Sequence, residues 1–129
     1  MKRIEMVKQS AVLALLIFAG SHAAAAMAAD NVATMAGIVL SLQHFPSDAD
    51  KAALAAIVEG DASEAEKAVA RAIAGIQHTV SADDKAVLDA IAADEGQPEG
   101  LRSLAGIVAG LSHMPGADAK AALAGLAGR

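Results

Sequence analysis

Residues 35–58 read MAGIVLSLQHFPSDADKAALAAIV, and the pattern returns as VARAIAGIQHTVSADDKAVLDAIA at 69–92 and LAGIVAGLSHMPGADAKAALAGLA at 104–127. Aligned without gaps, His44, His78 and His113 coincide at separations of 34 and 35 residues. Lys51, Lys85 and Lys120 coincide as well, as do Leu54, Leu88 and Leu123, and Ile57, Ile91 and Leu126 close the match. Self-similarity at one period implies stacked copies of one supersecondary unit. Three copies with this many shared positions point to internal duplication.

Each copy reads as helix, tight turn, helix. In the first, Val32, Met35, Ile38, Val39, Leu42 and Phe45 recur at steps of three and four, which marks one face of an amphipathic helix. His-Phe-Pro-Ser then turns the chain, and His-Thr-Val-Ser does so in the second copy. Ser47 and Ser81 suit the N-caps of the following helices, with Asp50 and Asp84 placed against the positive helix ends. Gly116 and Ala119 stand at these positions in the third copy and predict a weaker start. Ser63 with Glu66 forms a capping-box pattern for the helix that runs through Gln77. Gly60-Asp61 and Gly96-Gln97-Pro98 separate the copies.

The expected fold is therefore all-α: three αα-hairpin repeats, about six short helices, in a small helical array or bundle. The repeats span about 32–60, 63–95 and 98–128 within a domain of 30–129. The second helices are poor in large side chains, so they need a shared interior, as in helical solenoids. The period equals that of tetratricopeptide repeats, but their Trp, Gly, Tyr and Phe pattern is absent, and no membership follows.

Working outward, residues 1–29 differ from the rest. Lys2, Arg3 and Lys8 precede the apolar run AVLALLIFAG at 11–20, and SHAAAAMAA follows with small-residue cleavage sites after Ala23, Ala26 and Ala28. These are the three parts of a secretory signal peptide. The alternative is an uncleaved inner-membrane anchor, since 11–29 carries no formal charge. Its alanine-rich second half and His22 weaken insertion. Either reading places the working domain outside the cytoplasm, periplasmic or secreted in a bacterium.

The composition excludes several functions. The 129 residues include 35 Ala, two Phe and no Cys, Trp or Tyr, at a net charge of −5. That charge has the wrong sign for a phosphate backbone, and base-stacking aromatics are missing, so nucleic acid is excluded. No disulfide can staple the fold. There is no nucleophile elbow, phosphate-cradling glycine loop or His-Glu-x-x-His, so the protein is expected not to be an enzyme. The acids Asp83, Asp84, Asp94, Glu95, Glu64 and Glu66 read as solvated helix ends, since a calcium loop needs a different spacing.

The repeated histidines are the candidate site. One helical turn before them lie Ser41, Gly75 and Gly110, and two turns before them Gly37, Arg71 and Gly106. On a continuous helix these share a face, so His44 and His113 end a groove of small residues. The simpler reading is close helix contact, with each imidazole bonding free carbonyls at a helix C-terminus. The sharper reading makes His44, His78 and His113 ligands of a transition metal or haem. In a linear stack, helices about 8–10 Å apart keep equivalent residues from sharing one ion. Sharing requires closure around an axis. Met114, next to His113, is a potential soft ligand, although methionine more often fills gaps in a core. The function expected is a non-enzymatic binding or structural module of the bacterial envelope, with a protein partner or self-association. The alternative is a small periplasmic metal or haem carrier.

Overall fold

The computed structural model describes residues 30–128. The expected signal or anchor helix at 1–29 lies outside the described residues. Among these, the chain is all-helical, with six helices and no strand. They are α1 (30–40), α2 (Asp48–Glu59), α3 (Glu64–Ala74), α4 (Ala82–Ala93), α5 (Glu99–Ala109) and α6 (Ala117–Leu126).

Local chemistry starts these helices where the sequence places it. The Ser47 side chain accepts from the Asp50 N–H at 3.1 Å, and the Asp50 carboxylate returns the bond to the Ser47 N–H. Ser63 and Glu66 make the same reciprocal box, and Ser81 accepts from the Asp84 N–H at 3.1 Å. Such caps satisfy amides that have no partner inside the helix. Gly116 caps α6 without any side-chain bond.

Burial divides the helices into two sets. The inner set α1, α3 and α5 supplies most of the core, including Met35, Val39, Val69, Ile73, Leu104 and Val108. The outer helices contribute little: Leu54 and Ile57 from α2, Leu88 and Ile91 from α4, and Leu123 from α6. The inner three meet one another. Asn31 of α1 donates to Glu66 of α3 at 3.2 Å, α3 packs on α5, and a Cβ on Gly100 of α5 would lie 3.5 Å from Val32 of α1. That Cβ would also be 3.5 Å from Leu126 of α6. Ala127 shares a surface recess with Ala33, Thr34 and Gly37 of α1. The end of the chain thus returns to its first described helix, and the helices form a closed bundle instead of an open row.

Among α2 to α6, packing is most extensive between α2 and α3 and between α4 and α5. These pairs lie across the boundaries of the units read from the sequence. Connector length explains this: residues 60–63 and 94–98 fold one helix directly back along the other. The connectors at 41–47, 75–81 and 110–116 are longer, and each carries one histidine away from its helices.

Candidate functional site

The three longer connectors are built alike. The Ser41, Gly75 and Gly110 N–H groups donate to carbonyls four residues back at 3.3, 3.1 and 3.3 Å. The next N–H groups, of Leu42, Ile76 and Leu111, donate three residues back at 3.1, 3.2 and 3.2 Å. Such bonds tighten and end a helix. Leu42, Ile76 and Leu111 are buried, as are Pro46 and Pro115, with Val80 half-buried. Apolar residues two positions before and after each histidine therefore tie the connector to the core, and the histidine between them remains exposed.

This corrects the groove expected from helical spacing. α3 stops at Ala74, short of Gln77, and Gly75 and Gly110 are C-caps of α3 and α5. No continuous helix carries the small residues and the histidines on one face. Gly37 is not a point of close helix contact either, since a Cβ there would meet nothing within 4 Å. Among the described residues no imidazole bonds a helix-end carbonyl, and the one imidazole hydrogen bond pairs His113 Nδ1 with Ser112 Oγ at 3.3 Å.

Instead, the connectors converge. The ring centres of His44 and His78 are 5.1 Å apart, those of His78 and His113 5.2 Å, and those of His44 and His113 5.9 Å. Backbone bonds hold the cluster from beneath. The His78 N–H donates to the His44 carbonyl at 2.8 Å, and the His113 N–H donates to the His78 carbonyl at 2.7 Å. Both donors belong to residues in the left-handed region, at φ 73° for His78 and 65° for His113. At His113 the Met114 N–H also donates to the Ser112 carbonyl at 2.8 Å, a γ-turn. Non-glycine residues are uncommon at such φ values, and residues held there cluster at functional sites.

No protein-family model, curated protein or solved structure matches the chain.

The spacing of the rings can be compared with that of a metal centre. Imidazoles bound to one ion through tetrahedral bonds of about 2.0–2.1 Å have ring centres about 5 Å apart. The observed spacing lies close to that value. The orientation does not match as it stands: the planes cross at 82°, 88° and 60°, edge to face. Accordingly, among the described residues no three His, Cys, Asp or Glu side chains are posed to hold an ion. Ring-centre spacing is set by the backbone and χ1, whereas the plane of each ring is set by χ2, which turns the ring while its centre stays in place. Turning an exposed ring about χ2 is fast and meets no packed core, so the plane angles can change while the ring centres keep their spacing. The Ser112 contact on Nδ1 of His113 fits a ligand ring, since a partner on one nitrogen orients the other.

The surroundings are open. A recess of about 380 Å³ is lined by Phe45, Lys51, Ile76 and His78 among others, and one of about 260 Å³ by His44, Phe45, Ser47 and Asp50 among others. Both are shallow surface recesses, unlike the mostly apolar, enclosing pockets that bury a large cofactor. This favours a bare ion over haem. Of the repeated lysines, Lys85 pairs with Asp89 at 2.7 Å on the surface, a contact worth little to stability.

Proposed function

We propose that this protein is a small, exported, non-enzymatic metal-binding module in which His44, His78 and His113 together hold one transition-metal ion. The convergence of the three rings within 6 Å carries this reading. It removes the objection that applied to a linear stack, because one histidine per unit becomes three around an axis. We further infer that a duplicated helix–turn–helix unit, present three times, produced this arrangement, as the matching helix-end bonds suggest. Imidazole is a common ligand for zinc, copper, iron and nickel, and a three-imidazole set leaves a fourth position open for water or another donor. The backbone holds the connectors, so binding requires ring rotation and no refolding. The export reading rests on the N-terminal sequence alone. A mature N-terminus beyond Ala23 in the native protein would support it.

The test is titration with cobalt(II), which reports tetrahedral coordination through its visible absorption, alongside zinc(II) calorimetry. Wild type is compared with the His44→Ala/His78→Ala/His113→Ala variant, and circular dichroism checks that both are folded. The expected result is one ion per wild-type chain and none in the variant. Equal binding by the two proteins would overturn the reading. A second reading, a docking module for a protein partner, draws on Phe45 and Met114, which are 65% and 46% exposed beside the triad.

A further inference from the structure

Resting on the triad reading, we propose that Met114 supplies a fourth, thioether ligand and that the site prefers copper(I) over zinc(II). Met114 directly follows His113, and the γ-turn confines residues 112 to 114 to a single reversal. Its thioether is thus tethered one residue from a ring whose centre lies 5.2 and 5.9 Å from the other two. Leu111 and Pro115 on the same connector are buried, yet Met114 stands out in solvent. It is therefore not the gap-filling core residue that a methionine more often is.

The donor set supports this choice of ion. The equivalent positions on the other two connectors carry Phe45 and Thr79, so the end face offers three imidazoles and one thioether. The chain has no cysteine to supply thiolate. Asp50, the carboxylate lining the recess beside His44, already accepts from the Ser47 N–H at 3.1 Å. A soft thioether beside imidazoles selects copper(I). Zinc gains little from a thioether and fills its fourth position with water. Methionine is unbranched with three rotatable side-chain bonds, which suits a ligand that adapts to the rings' positions.

The experiment is anaerobic competition for copper(I) against a chromogenic chelator, with cobalt(II) and zinc(II) titrations in parallel. Wild type, Met114→Leu and the triple histidine variant are compared. Met114→Leu conserves volume at an exposed position and leaves the fold intact by circular dichroism. The expected result is a copper(I) affinity lowered by about tenfold or more in Met114→Leu, the scale on which losing a supporting group weakens a metal site. Cobalt(II) and zinc(II) binding should be unchanged, and X-ray absorption should show a copper–sulfur distance in wild type that Met114→Leu lacks. Equal copper(I) affinity with no sulfur scatterer in wild type, while cobalt(II) still needs the histidines, would overturn this inference and leave the triad standing. Failure of every ion to distinguish wild type from the triple variant would remove both.

Discussion

Replacing each of the three histidines by alanine and, separately, by glycine isolates the backbone strain beneath the cluster. Both substitutions remove the ring and keep the N–H and carbonyl, so ring contacts cancel in the comparison. His78 and His113 sit at φ 73° and 65°, whereas His44 is not among the residues of positive φ. A side chain in the left-handed region costs roughly 1–2 kcal/mol, which glycine escapes. Glycine also loses about 0.4–1 kcal/mol through the freedom of its unfolded chain. Taking the difference, glycine should be more stable than alanine by about 1 kcal/mol at 78 and at 113. At 44 only the second effect operates, so alanine should be the more stable by about 0.4–1 kcal/mol. Urea unfolding with a metal chelator present, followed by far-ultraviolet circular dichroism, resolves this: with slopes of about 1–3 kcal/mol/M, 1 kcal/mol moves the midpoint by roughly 0.3–1 M. The sign must invert between position 44 and the other two. Alanine equal to or better than glycine at 78 and 113 would refute the strain, and with it the argument that histidine is kept there at a cost to stability.

Two further predictions concern packing. Leu123 is the one buried side chain of α6, whereas α4 has both Leu88 and Ile91. Leu123→Ala should cost about 2–5 kcal/mol and speed amide exchange first in α6, while Leu88→Ala should cost as much without singling out α4. Exchange that is uniform in Leu123→Ala would contradict the weak docking of α6. Gly37→Ala should raise stability by about 0.5–1 kcal/mol, because a Cβ there meets nothing within 4 Å. Gly60→Ala should lower it, since its Cβ would stand 3.0 Å from the Ala56 carbonyl oxygen. A thermal melt that ranks the two the other way would show that helix interior and cap were wrongly distinguished.

The helices and their starts were legible in the sequence because their signals are local. Ser47, Ser63 and Ser81 each act within three residues, and Val32, Met35, Ile38 and Val39 of α1 follow one period, but Leu42 and Phe45 of the expected face lie past its end and Phe45 is exposed. The site was harder to read for two physical reasons. First, helical spacing was carried past the point where the helices stop, so Gly75 and Gly110 were read as groove residues when they end α3 and α5. The legible signal was alternation: an apolar residue at the second position on either side of each histidine, which ties an extended connector down by both flanks. Second, proximity of His44, His78 and His113 depends on how the units meet, and no residue near a histidine states that.

A clue to closure lies in two apolar residues, Val32 of α1 and Leu126 of α6. An open stack exposes the outer faces of its first and last units, and such units need polar capping surfaces to remain soluble. Here the first unit presents Val32 and the last Leu126, and both approach Gly100 of α5. Neither is a residue suited to a solvent-facing end. Glu66, expected at a solvated helix end, is instead 4% exposed and accepts from the Ser63 N–H and from Asn31 of α1, so it joins helices instead of facing water. Apolar ends bury each other when the row closes, and closure fixes where chemistry can occur. Off the axis, equivalent residues are held apart by the helices between them. Where the three connectors converge, His44, His78 and His113 meet. In this chain the residue that reaches the axis is histidine, and its neighbours Phe45, Thr79 and Met114 are where the three connectors differ.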